Sequence, residues 1–155
     1  MKLELPATVS EVMTRDVVTV DENDTLLHLL ASMKSLRFRH LPVTDDDRLI
    51  GLVTERDLLA IADSNLLPHQ GERDRMLQER LCVRDVMVRQ VMTVSPETSL
   101  QVAGRLLLKQ RFGCLPVVDE KNALRGILTA SDYVAAIVRA AAERGASPRE
   151  PGEVH

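Results

Sequence analysis

The chain predicts an α/β fold of the α+β kind, built from two β-α-β-β-α repeats packed with pseudo-twofold symmetry. Three observations lead there. The first is duplication: Val9-Ser10-Glu11-Val12-Met13 returns 74 residues later as Val83-Arg84-Asp85-Val86-Met87, and 14 of the 37 positions from Val9 to Asp45 are identical at that offset. The second is that each copy alternates short β-rich runs with helical periodicity. The third is length. A period this long lies outside that of solenoid repeats, and 155 residues fit two small halves sharing a core.

Each copy begins with Val-x-x-Val-Met and then a β-rich run, Val17-Val18-Thr19-Val20 in the first and Val91 to Val94 in the second. Asp24 and Thr25 supply N-cap chemistry for a helix whose Leu26, Leu29, Leu30 and Met33 follow i, i+3, i+4, i+7 spacing; Leu100, Ala103, Gly104 and Leu107 repeat it. A strand follows around Leu41-Pro42-Val43, repeated at Leu115-Pro116-Val117, where proline restricts pairing to an edge or a strand end. Asp45 to Arg48 reads as a solvated turn, and Leu49 to Val53 returns as the second strand of a hairpin.

One extra residue after Asp119 shifts the remaining matches, so Gly51, Thr54 and Asp57 reappear as Gly126, Thr129 and Asp132. Thr54-Glu55-Arg56-Asp57 opens a helix through Leu58, Leu59 and Ile61; Thr129-Ala130-Ser131-Asp132 opens another through Tyr133, Val134, Ile137 and Val138. The copies span residues 9–62 and 83–142. Residues 63–82 read as a polar linker with a helical stretch from Arg73 to Arg80, and 143–155, with Pro148, Pro151 and Gly152, as a flexible tail.

Composition excludes several classes. A net charge of −3, from 23 acids against 20 Lys and Arg, argues against nucleic acid and against an anionic membrane. With two Phe, one Tyr and no Trp the chain cannot build a base-stacking platform, so any bound ring is gripped by aliphatic side chains. Cys82, Cys114 and the four scattered histidines lack metal-ligand spacing, and free thiols are expected. No segment approaches bilayer-spanning length and Met1 to Pro6 has no apolar run of signal-peptide length, so a cytoplasmic location is expected.

Tandem Val-x-x-Val-Met, a short strand, a helix, x-Leu-Pro-Val and then Gly-Leu-Val-Thr-Glu-Arg-Asp or Gly-Ile-Leu-Thr-Ala-Ser-Asp resemble a pair of CBS (cystathionine-beta-synthase) domains, a Bateman module. The resemblance covers Val9 to about Val138. It implies a regulatory module binding an adenosine-containing ligand such as AMP, ADP, ATP or S-adenosylmethionine, with neither catalysis nor a cofactor. It also implies composite pockets, in which Thr129 and Asp132 face Val18, Arg39, His40 and Pro42, while Thr54 and Asp57 face Met92, Cys114 and Pro116.

The Thr-x-x-Asp motif has its own chemistry. A carboxylate at a helix start accepts hydrogen bonds from the 2′- and 3′-hydroxyls of ribose, while the Thr hydroxyl and free N–H groups of the first turn face a phosphate. The same spacing is also a capping box that binds nothing. Two instances at equivalent places of a duplicated unit, each after a Gly-initiated apolar strand, favour the nucleotide site. Arg37, Arg39 and His40 offer phosphate donors, whereas the second copy has Arg111, Gly113 and Cys114. The Asp132 pocket is therefore expected to be the tighter one, with binding that weakens with salt and strengthens as pH falls through the histidine range; Arg56 is the residue that offsets this ranking.

Three functional classes follow in order. Nucleotide sensing comes first. A ligand-free dimerisation or scaffolding module of the same fold is the alternative. An enzyme is third, since neither a nucleophile beside a base nor a Gly-rich phosphate loop is present. The apolar residues of the closing helices, Leu58, Leu59 and Ile61 with Tyr133, Val134, Ile137 and Val138, predict a homodimer, and an effector protein would act in trans.

Overall fold

The computed structural model describes residues 4–36, 39–58, 79–109, 113–143 and 145. Arg37, Arg111, the helical continuation through Leu59 and Ile61, most of the linker and most of the tail lie outside the described residues. In chain order the elements are α1 (Leu26–Leu36), β1 (His40–Asp45), β2 (Arg48–Thr54), a helical segment at 55–58, α2 (Val83–Val86), α3 (Leu100–Lys109), β3 (Cys114–Val118), β4 (Leu124–Thr129) and α4 (Ala130–Ala142).

The helices start where cap chemistry places them. Thr25 Oγ1 accepts the His28 N–H at 3.3 Å and Ser99 Oγ the Val102 N–H at 3.2 Å, each satisfying an orphan donor of a first turn. Each strand pair is an antiparallel hairpin, His40 opposite Thr54 in one and Cys114 opposite Thr129 in the other. Asp46 and Asp47 both have positive φ, 44° and 64°, the geometry of a two-residue type I′ turn. The extra residue of the second copy is absorbed in a longer loop. There Asp119 accepts the N–H groups of Lys121 and Ala123 and pairs with Arg125.

The expected leading strands are shorter than the β-rich runs. Val20 forms a single parallel bridge to Val43, and Val94 one to Val117. The run begins in a turn, the Val17 N–H bonding to the Arg15 carbonyl at 3.0 Å, and it stops at Val20, where the Asp21 N–H turns to the Asp24 carboxylate and the Asn23 N–H to the Asp21 carboxylate. The bridge also explains the prolines. Leu52, opposite Pro42, directs its N–H and C=O away from β1 to Val88. Pro42 therefore has no hairpin bond to lose, and its carbonyl accepts the Val20 N–H on the outer edge at 3.1 Å. Pro116 does the same for Val94.

The core shows how the halves join. Val9, Val12 and Met13 are buried with Leu100, Leu115, Val117 and Leu128 of the second copy, whereas Val83 and Met87 are buried with Leu26, Leu29, Leu41 and Val53 of the first. Each copy has exchanged its leading segment with the other. Main-chain bonds fix the exchange: Val9 N–H to Thr98 O at 3.0 Å and Leu100 N–H to Ala7 O at 2.9 Å on one side, Val83 N–H to Asp24 O at 2.9 Å and Leu26 N–H to Leu81 O at 2.8 Å on the other. Leu52, Cys114 and Ile127 pack between the hairpins, with Val17 and Val91 against them.

The exchange also explains the glycine that opens each Gly-apolar-apolar-Thr run. A Cβ on Gly126 would stand 2.7 Å from the Thr14 carbonyl oxygen, and one on Gly51 would stand 2.7 Å from the Met87 sulfur and 3.1 Å from the Val88 oxygen. The methionine thioether can rotate away; the Thr14 carbonyl is held in a reciprocal main-chain pair with Ile127 at 2.9 Å. Gly126→Ala is therefore expected to destabilise the fold by about 1–3 kcal/mol, and Gly51→Ala by less. Urea unfolding midpoints of the two variants measure the difference, and equal midpoints would contradict it.

Candidate functional site

The register of the first hairpin builds the site. Because His40 pairs with Thr54, the residue before β1 must lie beside the residue after β2, and the Arg39 carbonyl accepts the Glu55 N–H at 2.9 Å. At that corner Arg39, His40, Thr54, Glu55, Arg56, Asp57 and Gly113 line an open cavity of about 340 Å³. Gly113 comes from the second copy, and even a Cβ there would be 3.7 Å from His40 Nε2, so its lack of a side chain leaves the space beside the imidazole open.

A smaller apolar recess adjoins the cavity along the chain. It is lined by Leu52, Val88, Val91, Met92, Cys114 and Leu115, with Gln90 at its rim. Leu52 lies two residues before Thr54 on the same strand face, and Cys114 follows Gly113 directly. The recess is aliphatic and thioether in character. Cys114 is buried, and burial pushes its thiol up to about 12, so it is present as a neutral, apolar thiol near pH 7.

Thr54, buried to 7% exposure, is the capping residue of the helical turn. Its Oγ1 donates to Asp57 Oδ2 at 2.7 Å, its N–H donates to the same oxygen at 3.1 Å, and the Asp57 N–H returns to Oγ1 at 3.3 Å. Among the described residues no donor reaches Asp57 Oδ1. In the second copy, Asp132 Oδ2 accepts the Thr129 N–H at 2.7 Å and the Thr129 hydroxyl at 3.2 Å. Its Oδ1 accepts the hydroxyl of Thr14, a residue of the first copy, at 2.9 Å.

The expected grouping is corrected at one point. Arg39 and His40, expected opposite Thr129 and Asp132, line the cavity of Asp57, because hairpin register ties them to the end of their own copy's second strand. Met92 and Cys114 stand together beside Leu52, on the Asp57 side. Val18 is exposed, and Pro42 and Pro116 are fully buried. Sequence reasoning missed Thr14 as a partner of Asp132; the signal was that the residue after the repeated Val-x-x-Val-Met is Thr in one copy and Val88 in the other. Among the described residues no group of three or more His, Cys, Asp or Glu is placed to hold a metal ion.

The family model for the CBS domain matches residues 9–64 and again residues 83–139. The chain belongs to the CBS domain family. A CBS domain-containing protein of Dictyostelium discoideum is 32% identical over 133 residues, covering 84% of this chain and 91% of its own length. An inosine-5'-monophosphate dehydrogenase of Methanocaldococcus jannaschii is 32% identical over 125 residues, covering 80% of this chain but 22% of the enzyme. The crystal structure of CBSX2 in complex with AMP superposes with a TM-score of 0.70 at 31% identity, covering 90% of this CBS pair and 99% of that chain.

The two thiols of this CBS pair are expected to behave differently. The thiolate is the reactive form, so Cys114 should resist alkylation or aromatic-disulfide exchange at pH 8 until the protein unfolds, whereas half-buried Cys82 reacts in the native state. Counting thiols released before and after urea addition checks this. Two native-state equivalents at equal rates would contradict it.

Proposed function

We propose that this CBS pair is a regulatory module that binds an adenosine-containing ligand, AMP, ADP, ATP or S-adenosylmethionine, at the Asp57 cleft. The observation that carries the reading is the arrangement of three unlike surfaces in one place. A carboxylate with an open oxygen can accept a ribose diol. The basic side chains of Arg39, His40 and Arg56 suit a phosphate or another anionic group. The side chains of Leu52, Val91, Met92 and Cys114 form a shallow aliphatic and thioether surface against which an apolar ring can lie. A volume of about 340 Å³ falls within the range of small-molecule sites, and AMP bound to the related CBSX2 supports the ligand class.

The chain itself serves as a sensor and not as an enzyme. It matches only about a fifth of the dehydrogenase it resembles, and the cleft places no nucleophile beside a base among the described residues. Its two free cysteines suit the reducing cytoplasm, and among the described residues no helix is long and apolar enough to cross a membrane. An effector protein in trans would read the bound state.

Assembly as a homodimer belongs to the same reading. On α4 the buried face is made of Ala136 and Ala140, while Val134, Ile137 and Val138, at i, i+3 and i+4, are 60%, 47% and 61% exposed. That stripe needs a partner, and a second copy with the same stripe supplies one. Two residues expected in the interface are engaged elsewhere: Leu58 is buried in the core, and the Tyr133 hydroxyl donates to the Leu100 carbonyl at 2.6 Å.

Two outcomes test these points. In calorimetric titration, Asp57→Asn should weaken AMP binding by about 1.5–3 kcal/mol, the worth of a hydrogen bond to a charged group, and 2′-deoxy-AMP should bind the native protein comparably poorly. Unchanged affinity with a lowered melting temperature would leave Asp57 as a cap alone. In sedimentation, the protein should run as a dimer that Val138→Glu converts to monomer; a native monomer at all concentrations would contradict the assembly.

A further inference from the structure

The two clefts differ at one atom that the duplication would otherwise make equal. Thr14 and Val88 occupy the same place in the two copies, and identical main-chain pairs hold them: Thr14 with Ile127 at 2.9 and 2.9 Å, Val88 with Leu52 at 2.9 and 3.0 Å. With the backbones fixed alike, the side chain decides what the facing carboxylate meets. Thr14 Oγ1 donates to Asp132 Oδ1 at 2.9 Å. Val88 has no hydroxyl to offer Asp57.

An ionised carboxylate has about four acceptor positions, two on each oxygen. Capping takes both on Asp57 Oδ2, and among the described residues no donor takes either position on Oδ1. Capping takes the same two on Asp132 Oδ2, and Thr14 takes one of the remaining pair. A ribose cis-diol presents two hydroxyl donors. Asp57 can therefore accept both, whereas Asp132 can accept one unless Thr14 is displaced.

We propose that the Thr14 hydroxyl latches Asp132 shut toward ribose, so that this CBS pair binds one ribonucleotide per chain, at Asp57, and that Thr14 is the residue setting that stoichiometry. The latch rests on the adenosine-ligand reading and adds the occupancy of each cleft. The cationic residues agree with it, since Arg39 and Arg56 line the Asp57 cavity and the positions equivalent to them in the second copy are Gly113 and Ser131.

The test is calorimetry with AMP on the full chain and on Thr14→Val, Thr14→Ser and Asp57→Asn/Thr14→Val. Valine is the native residue at the equivalent place, so T14V should fold, and its melting temperature reports this directly. The native protein should bind one AMP per chain and T14V two. T14S, which keeps the hydroxyl, should stay at one. The double variant should bind one, and lose it when Asp132→Asn is added. The latch is overturned if T14V stays at one, if T14V binds more weakly than the native chain, or if the native chain fills two equal sites. Native protein that binds neither AMP, ADP, ATP nor S-adenosylmethionine would instead remove the ligand reading, and the latch with it.

Discussion

Everything in this CBS pair depends on the exchange of leading segments between the two copies. Val9, Val12 and Met13 complete the core of the second half, and Val83 and Met87 complete that of the first. Neither half has a full apolar core without the other. Residues such as Val9 and Val83, each fully buried, hold the halves in one relative position, since removing a buried aliphatic group costs both its transfer energy and a cavity. A cleft between two halves that could slide would not keep a ligand's ring, sugar and phosphate contacts in register. Here Leu52 is hydrogen-bonded to Val88 and Ile127 to Thr14, so the walls of the clefts belong to the same ladders that join the halves.

The duplication sets a symmetric frame, and function rests on the departures from it. Where the frame puts Arg39, His40 and Arg56 in one copy, it puts Gly113, Cys114 and Ser131 in the other. Because of hairpin register the first three gather around Asp57. Thr14 against Val88 then separates the two carboxylates by one hydrogen bond. A ligand that carries both a phosphate and a ribose meets two clefts with the same backbone and different chemistry. On the proposed reading, the Asp57 cleft takes the ligand while Asp132, bonded to Thr14, serves as a cap.

Much of the fold was legible because the signals repeat. The cap at Asp24-Thr25, the turn from Asp45 to Arg48, the hairpins and the insertion after Asp119 all follow from local chemistry. The exchange was not legible, since Val-x-x-Val-Met is equally apolar whichever half buries it. The outward stripe of α4 was legible at Val134, Ile137 and Val138; that the opposite face buries only the small side chains of Ala136 and Ala140, with Tyr133 tied to Leu100, was not. Within the site, Thr54 and Asp57 were readable as a motif, and Arg39 was readable as a donor. Its partner was not assigned correctly, although pairing Leu41 to Val43 with Gly51 to Val53 in a hairpin already places Arg39 next to Glu55.

A crystal structure of the native protein grown with AMP tests the placement most directly. The geometry predicts the ribose hydroxyls within hydrogen-bond distance of Asp57 Oδ1, the phosphate beside Arg39, His40 and Arg56, and the adenine against Met92 and Cys114, with Thr14 still bonded to Asp132. A ribose held by Asp132 beside an empty Asp57 cleft would contradict it.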